Sequence, residues 1–165
     1  MRNSAITYMD SPMGKIKIAG DANAIKLVQF VNGDERPTEG ILPLVVRNCK
    51  KQLNEYFSGK RKEFNVPLAP EGTDFQKEVW QALLDIPFGK TSTYAKQSQA
   101  LGDIKKIRAV GSANGKNPIA IIIPCHRVIG SDGSLTGYAG GLDKKEWLLT
   151  HEKSMPGQNQ TSLFG

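Results

Sequence analysis

The sequence contains little cysteine and no long apolar run. Its two cysteines, Cys49 and Cys125, could form one bridge at most, which excludes a small secreted domain held together by disulfides. The longest apolar run, Ile119 to Ile123, is far shorter than the roughly 20 residues that a membrane-spanning helix needs. Residues 1–6 carry one basic residue but no apolar segment of a secretory signal. We therefore expect a cytoplasmic protein with reduced thiols and no membrane partner, associated with the nucleoid if the source is bacterial.

Acidic residues are also in the minority, since 16 Asp and Glu oppose 22 Lys and Arg, for a net charge of +6 and a pI of about 9.3. This balance favours a polyanionic partner without identifying one. Hydrophobic residues make up 39% of the chain and charged residues 23%, which excludes collagen-like and disordered proteins. With two histidines beside the two cysteines, no spacing matches a four-ligand zinc site, so we expect neither a metal nor a cofactor.

The first part of the chain predicts a small antiparallel sheet. Apolar and polar residues alternate around Tyr8 and over residues 16–18 and 25–30, as they do in half-buried strands. Residues 11–14 and 32–34 supply the turn signals between and after these strands.

One amphipathic helix is predicted to pack on that sheet. From Pro43 to Phe57 apolar residues recur every three or four positions, and Gly59 ends the stretch as a C-terminal cap. Cys49 lies on this apolar stripe without an acid–base partner nearby, so we expect it to be structural and inert. Sheet and helix together predict an amino-terminal α/β domain over residues 1–66.

A stretch rich in proline and glycine, residues 67–72, predicts a linker because it cannot continue a helix. Directly after it, Thr73 and Gln76 have the spacing of a capping box. The apolar stripe that follows predicts a helix ending before Pro87.

Two short helices follow, the first ending near Leu101 and the second running from Ile104 to about Asn114. A tight turn joins them, which is typical of a helix-turn-helix. The predicted fold class is therefore α/β of the α+β kind, in which the small antiparallel sheet with its helix precedes a mostly helical domain. That second domain is predicted over residues 73–153, with a flexible tail at residues 154–165.

A local excess of positive charge accompanies the second of these helices. Only Asp103 opposes it with a negative charge. The basic residues are Lys105, Lys106, Arg108 and Lys116. Such a helix face is often simply solvated, but clustered Lys and Arg also make the usual contacts with nucleic-acid phosphates. If the chain binds nucleic acid, we expect it to use this patch.

The remainder of the chain combines an apolar run, a glycine-rich loop and a last helix. Residues 119–123 predict a buried strand that stops at Pro124. Asp143 and Glu146 have the spacing of a helix N-terminus, and the helix that they open is predicted to end near Lys153.

Cys125 is the candidate nucleophile. A free cysteine is more often a buried structural residue, but Cys125 directly precedes His126 and Arg127, and neighbouring positive or hydrogen-bonding groups favour the reactive thiolate. A cysteine that is paired with a base needs a third group to orient that base. Both His151 and Glu152 are candidates for this third group.

The order of motifs around Cys125 resembles the O6-alkylguanine-DNA alkyltransferase family, also called methylated-DNA-protein-cysteine methyltransferase. The resemblance is close from Thr73 to Lys153 and looser over the amino-terminal sheet. The motifs are Arg108-Ala109-Val110-Gly111, Asn117-Pro118, Pro124-Cys125-His126-Arg127-Val128, Tyr138-Ala139-Gly140-Gly141, Glu146-Trp147-Leu148-Leu149 and His151-Glu152.

This resemblance implies a set of catalytic roles. Cys125 would take the alkyl group from the guanine oxygen by direct displacement. His126, acting through a water held toward Glu152, would draw off the thiol proton. Asn117 would hold the turn that presents the cysteine, and Tyr94 would assist the departure of guanine by giving a hydrogen bond or a proton to the ring.

The resemblance also implies how damaged DNA would be held. Arg108 would enter the base stack from the minor groove and fill the gap that the extruded nucleotide leaves, with the small side chain of Ala109 against the groove. Val128, Tyr138 and Ala139 would line the base pocket, where the Ala139 amide would face the leaving oxygen. The implied partner is double-stranded DNA containing O6-alkylguanine, bound by a protein that is a monomer in solution, with cooperative binding along DNA left open.

The function expected from the family is DNA repair by an irreversible, single-turnover transfer to the protein's own cysteine. Two other classes remain as alternatives at this point. A module that recognises alkylated bases without repairing them is opposed by the presence of Cys125. A cysteine hydrolase using Cys125, His126 and Glu152 would leave the helix-turn-helix and Arg108 without a purpose.

Overall fold

A computed structural model describes residues 4–33 and 36–154. These residues form two compact units. The first contains the described residues up to Glu71 together with Pro118–Ile122, and the second contains Gly72–Asn117 and the described residues from Ile123 onward. Most of the predicted tail and Asp34 of the predicted turn lie outside the described residues.

The predicted amino-terminal sheet is confirmed. It consists of β1 (Ala5–Ser11), β2 (Gly14–Gly20) and β3 (Ile25–Phe30), antiparallel and in the order β1-β2-β3. The alternation has the expected cause, because Ile16 and Ile18 on the central strand are wholly buried while Lys17 between them is only half-buried.

Helix α1 (Leu44–Phe57) packs on this sheet. Its apolar stripe is wholly buried, at Val46, Cys49, Leu53 and Tyr56. Gly59 has a φ of +81° just after the helix, which only glycine adopts without cost. This conformation lets the Gly59 N–H donate to Tyr56 O at 3.1 Å, so that a backbone turn ends the helix as predicted.

The apolar run at 119–123 is buried as expected but is not a strand. Ile119 forms a single bridge beside Val28, and the residues after it turn, with Ile121 at a φ of +72°. The prediction was wrong because a short apolar run indicates burial without fixing an extended backbone. The segment still bonds to the edge of the sheet, since the Val28 N–H on β3 donates to Pro118 O at 3.0 Å.

The second unit begins with α2 (Asp74–Leu83), whose start was predicted from the sequence. The Thr73 hydroxyl accepts from the Gln76 N–H at 3.1 Å, and the Gln76 side chain accepts from the Thr73 N–H at 2.9 Å. Further along the helix, the buried indole of Trp80 donates to Ala113 O at 2.8 Å. The helix is thereby capped at its start and bonded near its end to Ala113, which belongs to a later helix, Ile107–Gly115.

The predicted pair of short helices consists of α3 (Tyr94–Ala100) and α4 (Ile107–Gly115), with a 3-10 turn (Ile104–Lys106) before α4. Two buried amides join them, with Gln97 Nε2 donating to Asn114 Oδ1 at 3.0 Å and Asn114 Nδ2 to Gln97 Oε1 at 2.8 Å. Both polar side chains are satisfied by each other, which fixes α3 against α4.

Strand β4 (Ser92–Thr93) pairs in parallel with β5 (Val128–Ile129), and α5 (Leu142–His151) closes the unit. The start of α5 differs from the prediction, because Gly141 at a φ of +105° occupies the N-cap position and Asp143 lies inside the first turn. An acidic residue there still favours the helix dipole, which explains the misplaced boundary. Over the described parts of the chain, no helix has the length and apolar character needed to cross a membrane.

Candidate active site

Cys125 opens a 3-10 turn, Cys125–Arg127, and is half-buried. Asn117 Nδ2 donates to Ile123 O at 2.7 Å and lies 3.3 Å from Cys125 Sγ. One side-chain amide therefore bonds both to the thiol and to the backbone two residues before it. Burial raises the pKa of Cys125, and the hydrogen bond from Asn117 opposes that rise. The predicted pair of Asn117 and Cys125 is therefore in contact.

Cys49 provides the contrast within the first unit. It is wholly buried, and burial raises its pKa to about 12. Among the described residues, no hydrogen bond or charge opposes that rise in the pKa. Cys49 thus has the character of an unreactive core residue.

His126, Arg127 and Glu152, of which the first two directly follow Cys125 in the sequence, form a buried polar cluster. His126 Nε2 lies 2.8 Å from Glu152 Oε2, and Arg127 donates from Nε to Oε1 at 2.8 Å and from Nη2 to Oε2 at 3.0 Å. Although burial acts to raise it, the pKa of Glu152 is held well below its usual range by His126 and Arg127. Of the two candidates for orienting His126, Glu152 makes the contact, whereas the ring of His151 stacks on Trp147.

The protonation state of His126 follows from its surroundings. Burial lowers the pKa of His126, and the opposing influence of Glu152 is the weaker of the two. The lowered pKa favours the neutral imidazole. Nε2 faces the carboxylate and is therefore the nitrogen that carries the hydrogen. The buried Nδ1 has no hydrogen-bond partner among the described residues, so it presents a free lone pair.

Tyr94 begins α3 and is half-buried. Its hydroxyl donates to Thr136 O at 2.8 Å, which places the phenol against the glycine-rich loop. Burial raises the pKa of Tyr94, so the hydroxyl keeps its proton at neutral pH and can donate it.

Lys145 is a residue that sequence reasoning missed. It is wholly buried, and its Nζ donates to Val128 O at 2.7 Å and to Thr136 O at 2.8 Å. Burial lowers its pKa to about 8, and the neighbouring Cys125 opposes that fall. The signal was present in the spacing, because Lys145 occupies an apolar-stripe position with Leu148 and Leu149 on α5.

The three residues assigned to the base pocket occupy different positions. Val128 is buried on β5 and offers its carbonyl to Lys145. Tyr138 has a buried hydroxyl without a partner among the described residues, and burial raises its pKa well above the usual value, with Cys125 and Glu152 adding to the rise. Ala139 is exposed on the following loop position.

The predicted basic patch lies on the surface. Residues 104–109 are all exposed, including Lys105, Lys106, Arg108 and Ala109, and Lys116 is exposed at the end of α4. Asp103 caps the turn by accepting from the Lys105 N–H at 2.8 Å. Within the described ranges, Arg108 makes no hydrogen bond or ion pair with Cys125, His126, Arg127 or Glu152.

The arrangement suits nucleophilic chemistry at sulfur. The half-buried thiol of Cys125 is followed in the sequence by the neutral imidazole of His126, whose Nε2 is bonded to the Glu152 carboxylate. The protonated phenol of Tyr94 lies on the same unit. No three His, Cys, Asp or Glu side chains come together to form a metal site in the part of the chain that the structure describes.

The chain matches two family models. Residues 5–70 match the ribonuclease-like domain of 6-O-methylguanine DNA methyltransferase, and residues 74–154 match the DNA binding domain of 6-O-methylguanine DNA methyltransferase. The methylated-DNA–protein-cysteine methyltransferase of Methanosarcina barkeri is 52% identical over 150 residues, which cover 88% of this chain and 95% of that protein. The protein of the same name from Mycobacterium tuberculosis H37Rv is 45% identical over 149 residues, which cover 88% and 90%.

Solved structures give the same result. The crystal structure of Mycobacterium tuberculosis O6-methylguanine methyltransferase superposes with a TM-score of 0.81 at 42% identity, covering 93% of this chain and 94% of that one. The crystal structure of Mycobacterium tuberculosis OGT in complex with DNA superposes with a TM-score of 0.80 at 44% identity, covering 92% and 95%. Because the matches in sequence and in structure extend over both units, the chain belongs to the 6-O-methylguanine DNA methyltransferase family.

Proposed function

We propose that this protein repairs O6-alkylguanine in double-stranded DNA by transferring the alkyl group to Cys125. One observation carries the proposal. In a chain of this family, Cys125 is the half-buried cysteine, next to the buried pair of His126 and Glu152, whereas Cys49 is sealed in the core. The proposed reaction is a methyl transfer in which the protein itself is the acceptor.

The thiol must lose its proton before it attacks. His126 can accept that proton at Nδ1, directly or through a water, because Nε2 is already engaged with Glu152. The carboxylate then stabilises the imidazolium that forms. Asn117 stabilises the thiolate by donating to Cys125 Sγ at 3.3 Å.

The proposed alkyl transfer is a single displacement at the alkyl carbon. A bond forms between Cys125 Sγ and the alkyl carbon, while the bond between that carbon and guanine O6 breaks and its electron pair stays on guanine. Tyr94 gives a hydrogen bond or a proton to the departing ring, for which its raised pKa keeps the proton available. The product thioether has no bond that water can readily hydrolyse, so each molecule acts once.

Access to the damaged base requires that it leave the duplex. A base inside the stack cannot meet a half-buried thiol, so we assign base flipping to this protein, at a cost of a few kcal/mol. The exposed run at 104–109 is the DNA-facing surface in this proposal. Arg108 fills the gap in the stack beside Ala109, and Lys105, Lys106 and Lys116 contact phosphates. Val128, Tyr138 and Ala139 line the pocket for the flipped base.

We further propose that the protein acts as a monomer in the cytoplasm, on the nucleoid in a bacterial cell. Its substrate in this proposal is a lesion in chromosomal DNA, and the alkyl acceptor and the proposed base contacts all belong to one chain. Cooperative binding along DNA is not required for the chemistry.

Intact-protein mass spectrometry after incubation with methylated duplex tests the function. We expect one added methyl group, located on Cys125 by peptide mapping, and no further reaction after one equivalent. Cys125→Ser should bind the duplex without gaining mass, and Cys49→Ala should react like the wild type. A protein that binds without reacting, or that releases methylated product and continues to turn over, would refute the proposal.

A further inference from the structure

Helix α1 of the first unit has a basic face in addition to the apolar stripe that packs on the sheet. The residues of this face recur every three or four positions, so their side chains leave the same side of the helix. They are Arg47, Lys50, Lys51 and Asn54. With Lys60, just after the helix, they line a surface groove of about 710 Å³, called here the basic groove.

The positive charge of the first unit is concentrated around the basic groove. Residues 44–62 contain six Lys and Arg and one acidic residue, Glu55, whereas the rest of residues 1–71 contains five basic and seven acidic residues. Glu55 is already engaged, because Arg61 Nε lies 2.9 Å from Glu55 Oε1. Among the described residues, no carboxylate forms an ion pair with the four basic residues that line the groove. The basic groove therefore attracts an anionic ligand.

A second groove, called here the apolar groove, adjoins the first and shares Leu42 and Arg47 with it. It has a volume of about 550 Å³ and is lined in part by Ile41 and Leu44. Of the large apolar residues described, these two are the most exposed, at 91% and 61%. A single exposed apolar side chain is normal on a protein surface, but two of them at one groove indicate an interaction site.

Arg47 lies where the two grooves meet. Its Nε donates to Leu42 O at 3.0 Å, which holds the guanidinium group at the boundary between them. A ligand that fills both grooves would therefore place a negative charge and an apolar group on either side of one arginine.

The chemistry of the two grooves favours a peptide over a nucleic acid. Phosphates would pair with the basic groove, but a phosphate backbone has no apolar surface to cover Ile41 and Leu44. Single-stranded bases stack on aromatic rings, and the described residues that line the two grooves include none. A second copy that docked symmetrically through this face would bring the same lysines together, which is repulsive.

We propose that the two grooves form a docking site for an acidic peptide segment of a partner protein. Carboxylates of the segment lie in the basic groove, where they pair with Lys50, Lys51 and Arg47. An apolar side chain of the same segment lies in the apolar groove and covers Ile41 and Leu44. This interaction is additional to alkyl transfer and uses none of the residues assigned to it.

Binding of a synthetic peptide tests the docking site. The probe is a fluorescein-labelled peptide of repeated Asp-Asp-Leu, and fluorescence anisotropy follows its binding to the full chain. We expect saturable binding that weakens as salt is raised, because the charges of the groove face solvent. A peptide of repeated Asp-Asp-Ser has the same charge without the apolar side chain and should bind at least about tenfold more weakly.

Charge reversal tests the basic groove. Lys50→Glu combined with Lys51→Glu should weaken binding of the Asp-Asp-Leu peptide about tenfold or more. Lys77→Glu combined with Lys90→Glu reverses two exposed lysines of the second unit and is the matched control, which should bind the peptide like the wild type. Both double variants should bind methylated duplex equally well and accept its methyl group at the same rate.

A separate substitution tests the apolar groove. Leu44→Ser should weaken binding of the Asp-Asp-Leu peptide about threefold or more without changing the charge. Leu84→Ser, at an exposed position just after α2, is its control. Thermal melting curves check that all the variants fold, which their exposed or half-buried positions favour.

The other occupants give different results. Equal binding of the Asp-Asp-Leu and Asp-Asp-Ser peptides, absence of saturable binding, or equal losses in the groove variants and their controls would overturn the docking site. Duplex binding that falls with Lys50→Glu and Lys51→Glu but not in the control would assign the basic groove to nucleic acid. A wild type that sediments as a dimer, which those same substitutions dissociate, would assign it to a second copy. Either result would overturn the proposal.

Discussion

The imidazole of His126 and the carboxylate of Glu152 form a buried pair, with 2.8 Å between Nε2 and Oε2 and no exposed surface on either side chain. Arg127 donates to the same carboxylate from Nε and Nη2, and its Nη1 donates to Ile86 O at 2.6 Å. The carboxylate is thus held from two sides, which fixes the face that it presents to the imidazole. This geometry supports the first two predictions.

Replacing Glu152 with glutamine should slow alkyl transfer. The neutral amide cannot stabilise an imidazolium as the carboxylate does, so we expect a loss of at least about tenfold in the single-turnover rate on methylated duplex. Glu146→Gln, at an exposed position on α5, the helix that ends just before Glu152, is the matched control and should leave the rate unchanged. Equal rates for the two variants would mean that Glu152 has no part in the proton transfer.

The stability of the protein should fall in acid. Burial holds the pKa of His126 below its ordinary 6.5, and the pKa of Glu152 lies below its ordinary 4.5 despite burial. A depressed folded-state pKa contributes stability that is present above the unfolded value and is lost as pH falls through the folded value.

We therefore expect the free energy of unfolding in urea to decrease below about pH 6.5, by up to about 1.4 kcal/mol per pH unit for each group that takes up its proton. The decrease should begin with His126 and continue below pH 4.5 as Glu152 contributes. Urea melts at a series of pH values measure it. In Glu152→Gln the part below pH 4.5 should shrink, and an unchanged slope there would contradict this assignment.

Asn117→Ala should lower the reactivity of the thiol. The Asn117 amide donates to Cys125 Sγ and to Ile123 O, and its hydrogen bond opposes the rise in the pKa of Cys125. Without it the pKa of Cys125 should rise further, so alkylation by iodoacetamide at pH 7.5 should slow, and stability should fall by about 1–3 kcal/mol because Ile123 O loses its donor. Asn54→Ala, exposed on α1, is the control. A variant that is less stable but equally reactive would show that Asn117 only holds the turn.

Local signals account for the parts of the fold that were predicted correctly. A capping box at Thr73 and a glycine at position 59 act within a few residues, so their effect can be recognised without the rest of the chain. The run at 119–123 was misjudged because its conformation depends on a distant strand, where Val28 accepts from the Ala120 N–H at 2.8 Å. Such pairing has no local pattern.

The site divides in the same way. The chemistry of Cys125 and its neighbour His126 is visible in the sequence because they are adjacent. Whether His151 or Glu152 orients His126 depends on how α5 is rotated about its own axis. The burial of Lys145 on that helix depends on which residues pack against it. Two adjacent lysines, Lys144 and Lys145, are typical of a solvated helix face. The spacing of three residues from Lys145 to Leu148 nevertheless indicated that Lys145 belongs to the buried face.

The amide pair between Gln97 and Asn114 should couple α3 to α4. Each single change to alanine leaves a buried amide without its partner and should cost about 1–3 kcal/mol in free energy of unfolding. The double change removes both groups, so its cost should be less than the sum of the two. Gln99→Ala, exposed on α3, is the control. Costs that simply add would mean that the two amides do not act as a pair.

Arg108→Ala should separate the DNA-dependent step from the chemistry. The side chain is exposed at the start of α4 and, among the described residues, makes no hydrogen bond or ion pair with Cys125, His126, Arg127 or Glu152, so its loss should not alter the reaction of Cys125 itself. If Arg108 fills the gap that a flipped base leaves, its removal forfeits stacking worth roughly 1–3 kcal/mol and should slow repair of methylated duplex about tenfold or more.

The reaction with free O6-benzylguanine, which needs no flipping, should change less than about twofold. Arg47→Ala, at an exposed position on α1, controls for the loss of one positive charge. Single-turnover rates on both substrates, measured at several salt concentrations, distinguish stacking from phosphate contact, because a phosphate contact weakens with salt and a stacked side chain does so less. Equal losses on duplex and free base would place Arg108 in the support of the site and remove it from the base stack.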